Sequence, residues 1–204
     1  MTKDDSSFPA PAFVDGGAHY VALNFANIPQ IRLPDMAAQV RRAIAWIYRN
    51  AASFDGDPTR LFLSGHSSGA HLAAAALVTD WPATHDVPAN VIKGALLISG
   101  MYDLEAPMLS ARSSYVKISK DEEHALSPQR HLDRVGCPVI LAHGDGESPE
   151  FKRQARDFDA ALKQRSLSST LIEGKGFNHF ELVETLGRAD GLLGRVALKQ
   201  MGLA

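Results

Sequence analysis

The chain has 204 residues, 45% of them hydrophobic, with a formal net charge of −2 and a pI near 6.4. That length supports one sizeable core, so a single domain over residues 1–204 is expected and intrinsic disorder is not. The basic residues are scattered rather than clustered, which leaves no electrostatic footprint for nucleic acid or for an anionic membrane surface. The single cysteine, Cys137, stands just before an apolar run, so it can form no internal disulfide and is expected to be buried as a small hydrophobe. The first residues, Met1-Thr-Lys-Asp-Asp-Ser-Ser7, are polar and acidic where a signal peptide would be basic and then apolar, and no apolar run approaches membrane-spanning length. A soluble protein of the reducing cytoplasm is expected.

Taken in order, Phe8, Pro9, Pro11 and Phe13 predict a packed loop or short helix before Gly16-Gly17. His19 to Phe25 reads as a buried strand, because it is apolar without the alternation of a half-exposed one. After a loop, Pro34 suits a helix start, and Met36, Val40, Ala43, Ile44, Ile47 and Ala51 recur at helical spacing. The turn Asp55-Gly-Asp-Pro58 leads to the strand-like run Leu61-Phe-Leu63. An abrupt turn follows, Gly65-His-Ser-Ser-Gly69, and then an Ala-rich helix over 70–78. Gly-x-Ser-x-Gly between a strand and a helix is the pattern of a nucleophile elbow, where small residues on both sides let strand and helix pass close to a strained serine.

Trp81 to Pro88 reads as a loop and Val91 to Ile98 as the next strand. Residues 99–135 form a long excursion, expected to be a lid or pocket wall. Cys137 to Gly144 is a strand that runs into the acidic stretch Asp145-Gly-Glu-Ser-Pro-Glu150. Phe151, Ala155, Phe158 and Leu162 then mark an amphipathic helix. Ser168 to Ile172 is a last strand, and Gly174 to Phe180 a loop opening the C-terminal helices. Strands alternating with helices predict an α/β domain with a mostly parallel sheet, helices on both faces and the site at the carboxyl ends of the strands.

Serine, acid and histidine, each just beyond a strand, follow the chain order of an α/β-hydrolase triad: Ser67 as nucleophile, Glu147 as acid and His179 as base. Asp145 and Asp103 also follow strands and remain alternatives for the acid. The backbone N–H of Ser68 is the expected oxyanion donor. His66 and Tyr102 are expected against the substrate, His71 in a pocket or packing role, and His143 packed at a strand end. No metal-ligand spacing or dinucleotide fingerprint occurs, so no metal and no other cofactor is expected. The expected partner is a small amide or ester.

Four stretches carry a resemblance that spans nearly the whole chain: Gly65-His-Ser-Ser-Gly-Ala-His71, Ser99-Gly-Met-Tyr-Asp-Leu104, Glu147-Ser-Pro-Glu-Phe-Lys-Arg-Gln154 and Asn178-His-Phe-Glu-Leu-Val-Glu-Thr-Leu186. At these residues the chain resembles the kynurenine formamidase (arylformamidase) branch of the α/β-hydrolases, close to carboxylesterases of the hormone-sensitive-lipase type. The resemblance implies hydrolysis of an aryl formamide such as N-formylkynurenine, with a general carboxylesterase as the alternative. It implies an aspartate where this chain has Glu147. It also implies a strand ending in His-Gly-Gly-x-Trp, whose amides complete the oxyanion hole, and no such motif occurs here. Gly16-Gly17 precedes a strand-like run instead of following one, and reads as a turn. Set against the family pattern, the chain therefore reads as N-terminally shortened and as a weak enzyme or even a non-catalytic binding protein. The strands flanking the missing one would have to pair directly, recruit another chain as in a homodimer, or leave open edges.

Overall fold

Short apolar runs without helical period become the strands of the computed structural model, which describes residues 2–204. They are β1 (Leu61–His66), β2 (Ile92–Ile98), β3 (Val139–Gly144) and β4 (Ser169–Gly174). The strands pair in chain order and every pairing is parallel. A parallel neighbour can be reached only by a crossover that returns the chain to the same end of the sheet, so all four strands finish at one edge. That common edge is where the loops after β1, β3 and β4 meet.

The helices, in order, are α1 (Ala10–Asp15), α2 (Leu33–Asn50), α3 (Ser68–Leu77), α4 (Trp81–His85), α5 (Glu105–Met108), α6 (Lys120–Ala125), α7 (Pro149–Gln164), α8 (Glu181–Glu184) and α9 (Leu192–Met201). The first turn of α2 contains Pro34, which needs no N–H partner there, and Asp35 reaches back to the Arg32 N–H. Its apolar stripe of Met36, Ala37, Val40, Ile44 and Ala45 is buried. In α3 the run from Ala70 to Leu77 is buried throughout, because the helix is covered by the sheet on one side and α2 on the other. Alanine is the side chain that allows such close approach.

Side chains alternate across the central strands. Ala95, Leu97, Val139 and Leu141 join a core with α2, α3 and Phe158 and Leu162 of α7. Leu96, Ile98 and Ala142 join a second core with Phe13 of α1, Leu182 of α8 and Leu193, Ala197 and Leu198 of α9. Helices thus cover both faces.

The stretch from His19 to Phe25, expected as a buried strand, is not one. None of its residues is buried, Val21 is 48% exposed, and among the described residues none of its backbone N–H groups bonds to another backbone group. Apolar composition cannot make a strand without a neighbour to bond, and β1 stands at the sheet edge without pairing to it. Gly16-Gly17 is a turn as expected: Gly17 has φ 88° and its N–H bonds to the Val14 carbonyl. The expected loop over 81–88 contains α4, started by the Asp80 side chain accepting from the Ala83 N–H. The excursion 99–135 is pinned at its base. Arg130 bridges Asp103 and the buried Glu123, each at 2.8 Å, and the buried Gln154 side chain accepts from the N–H groups of Tyr102 and Asp103. Cys137 is half-buried, and burial pushes its thiol up to about 11. No helix of the described residues is long and apolar enough to cross a membrane.

Candidate active site

Ser67 lies between β1 and α3 with φ 56° and ψ −117°, a conformation that costs a non-glycine residue of order 1–3 kcal/mol. The turn is held by the Ser67 N–H bonding to the Ile98 carbonyl at 2.8 Å. A Cβ on Gly65 would sit 2.3 Å from the Gly69 carbonyl oxygen, so strand and helix cross too closely for any side chain there. A Cβ on Gly69 would meet nothing within 4 Å. The steric demand of the turn therefore rests on Gly65. Because Ser67 caps α3, the Ser68 N–H is the first of the helix amides without an intrahelical acceptor, at the positive end of the helix dipole.

The loop after β3 brings in Glu147, whose side chain is fully buried. Its Oε1 accepts from the Ser99 hydroxyl at 2.6 Å and the Gly144 N–H at 2.7 Å, and its Oε2 lies 2.9 Å from His179 Nδ1. Burial raises the carboxyl's pKa, but the bonds from His179, Ser99 and the Gly144 amide outweigh it and hold the group below the usual carboxylate range. An ionised Glu147 requires the proton on Nδ1 of His179, which leaves Nε2 free to act as a base. The loops carrying the two groups are packed backbone to backbone: a Cβ on Gly144 would fall 2.2 Å from the Phe177 carbonyl oxygen.

The two other carboxylates that follow strands are engaged elsewhere. Asp145 accepts from the Gly176 N–H at 2.8 Å, and Asp103 accepts from Arg130 and from the Glu105 N–H. Of the three, only Glu147 meets His179. The imidazole of His179 sits between Phe151 and His66, at ring separations of 4.6 and 4.5 Å. Among the described residues no hydrogen bond joins Ser67 to His179; such contacts are commonly long in free enzymes and tighten around substrate.

His66 has a contact that its sequence position did not reveal. Its Nε2 donates to the His179 carbonyl at 2.8 Å, tying the elbow to the histidine loop. Burial, and then the proximity of His179, lower its pKa and keep it neutral beside that ring. Tyr102, expected against the substrate, is fully buried and stacks on Phe158 at 4.4 Å. It is a core residue. An apolar run after a strand end reads the same whether it lines a pocket or enters the core, and only packing separates the two. His143 is fully buried at the end of β3.

His71 is buried with Nδ1 bonded to the Met101 carbonyl at 2.9 Å, and burial lowers its pKa to about 4. The unfolded chain binds a proton at this residue below about pH 6.5 and the folded chain only below about pH 4. Stability from this group is thus present above the unfolded pKa and lost as pH falls through that window. At about 1.4 kcal/mol per pH unit, the loss is of the order of a few kcal/mol. Urea unfolding at pH 7, 5.5 and 4.5 should show a falling midpoint, with a shallower fall in His71→Gln. An equal fall in both would remove His71 as its source.

A family model described as BD-FAE matches residues 2–94. The kynurenine formamidase of Danio rerio is 36% identical to this chain over 99% of its length and 69% of the relative's, and that of Salmo salar shows the same identity and coverage. The chain belongs to the kynurenine formamidase family. Family membership rests on a match that includes the elbow, the acid loop and the histidine loop, since 99% of the chain is aligned. The fold agrees with solved α/β-hydrolases: the Pyrobaculum calidifontis esterase superposes with a TM-score of 0.79 at 14% identity, covering 97% of this chain and 70% of that one. The chain spans 69% of the length of the two formamidases.

Proposed function

We propose that the chain is a serine hydrolase that cleaves a small amide or ester through an acyl-enzyme, with aryl formamides of the N-formylkynurenine kind as its substrate class. The observation that carries this is the contact of Glu147 Oε2 with His179 Nδ1 at 2.9 Å, beside a serine held in elbow geometry. Ser67 Oγ attacks the formyl carbon while His179 Nε2 takes its proton, and the oxyanion forms against the Ser68 N–H. His179 then passes the proton to the leaving aryl amine. A water deprotonated by the same imidazole attacks the formyl ester, and formate leaves as Ser67 regains its proton. The substrate class is supported by the two formamidase relatives, and general esterase action is the alternative. The excursion 99–135, with its exposed Leu109 and Tyr115, is the pocket wall in this reading. The reading places the reaction in the cytoplasm and involves neither nucleic acid nor membrane.

Beside Ser67, β1 is the edge of the sheet, so no further strand of the described residues stands next to it to offer a second amide to the oxyanion. Losing one such donor costs about 10²- to 10³-fold in turnover. A panel of formanilide-type amides against acetate, butyrate and longer esters should show slow hydrolysis with the best kcat/KM on the formamides. A preference for butyrate or longer esters would favour the carboxylesterase, and no turnover of any member would leave a binding protein.

A further inference from the structure

Ser99 closes β2 in left-handed backbone, with φ 53° and no exposed surface. A non-glycine residue there is strained, and glycine would not be. The Ser99 N–H bonds to the Ala142 carbonyl at 2.8 Å, a contact any residue could make, so the backbone gives no reason for a side chain. The hydroxyl does give one: it donates to Glu147 Oε1 at 2.6 Å.

We propose that Ser99 is a positioning residue for the catalytic acid: its hydroxyl and the Gly144 N–H grip Glu147 Oε1 from two sides and thereby present Oε2 to His179 Nδ1. This rests on the reading of Ser67, Glu147 and His179 as nucleophile, acid and base. A glutamate side chain has one more rotatable bond than aspartate and more rotamer freedom to lose, and one donor alone leaves the carboxylate able to swing about that contact. Two donors on one oxygen remove the swing. They are rigidly placed, Gly144 at the end of β3 and Ser99 at the end of the neighbouring β2, so the sheet itself sets the orientation of the acid. Ser99 touches neither His179 nor Ser67 by any hydrogen bond among the described residues and acts only through Glu147. Two further titratable groups face the pair: His66, in ring contact with His179, and the phenol of Tyr102, which burial and then the Glu147 charge keep protonated.

Two substitutions separate the hydroxyl from the backbone. Ser99→Gly removes the hydroxyl and relieves the strain; Ser99→Ala removes the hydroxyl and keeps the strain. Both should lower kcat on an aryl formamide about 10- to 100-fold with KM within twofold, slow organophosphonate labelling of Ser67 in parallel, and move the acid limb of kcat/KM to higher pH, because the carboxylate loses a donor that favours its charged form. In folded protein the downfield proton resonance of His179 Nδ1–H should shift or broaden in both. Added to Glu147→Gln, Ser99→Gly should have no further effect, since the two act as one unit. Wild-type kcat and an unmoved acid limb in both single variants would overturn the proposal, as would full additivity in the double variant. Absence of Ser67 labelling in the unsubstituted protein is a different result: it overturns the assignment of the nucleophile and base, and this proposal with it.

Discussion

Ser67→Ala should leave no measurable hydrolysis of any substrate in the panel and should abolish labelling by an organophosphonate probe. Removing the nucleophile of a serine hydrolase costs about 10⁶-fold in turnover, and what remains is the modest rate supported by binding and the oxyanion site. Ser67 stands apart from other serines on geometric grounds. It is held at φ 56° and ψ −117° at the start of α3, with the Ser68 amide behind it and the His179 loop tied to the preceding His66. Ser68 is its exposed neighbour, and Ser99 is sealed in the core with its hydroxyl committed to Glu147. Mass spectrometry of the labelled protein should place the adduct on the peptide containing Ser67 alone. Labelling that survives Ser67→Ala would move the nucleophile elsewhere. His179→Ala should abolish labelling as well, and His66→Ala should only weaken it.

The second large effect is expected at the acid. Glu147→Gln keeps the size of the side chain but turns its Oε2 contact into an amide that favours the wrong imidazole tautomer, and the loss of turnover should approach 10⁴-fold. Asp145→Asn should cost far less, since among the described residues the Asp145 carboxylate accepts from the Gly176 N–H and makes no hydrogen bond to the imidazole. Steady-state kcat on an aryl formamide for the two variants decides between them. A larger loss in Asp145→Asn would transfer the role to Asp145 and would require the acid loop to rearrange on binding substrate.

Much of the fold was legible because its local signals agreed with its tertiary setting. The stripe of α2, the apolar runs of β2 and β3 and the Gly-x-Ser-x-Gly turn each carry their structure in spacing and composition, and each element lies within a few residues of where its pattern predicts it. Two features depart from their local pattern for one shared reason. His19 to Phe25 has strand composition but pairs with no strand of the described residues, and Tyr102 sits where a pocket residue could sit but turns into the core against Phe158. Hydrogen-bond partners and burial belong to pairs of residues far apart in the chain, so a local pattern cannot contain them.

The sequence by itself determined the architecture and the chemical vocabulary of the site: parallel strands joined by helices, a serine on a tight turn, and an acid and a histidine each just past a strand. Periodicity and glycine placement are properties of neighbouring residues, and they are enough for that. Which carboxylate meets the imidazole was decided only when β3 and β4 lay side by side, with Gly144 against the Phe177 carbonyl and Glu147 reaching His179 at 2.9 Å. The same holds for Ser99, whose role depends on the 2.6 Å contact from the end of one strand to a loop 48 residues away. Such contacts arise from the register and spacing of the sheet, which the whole chain sets cooperatively and no single stretch records.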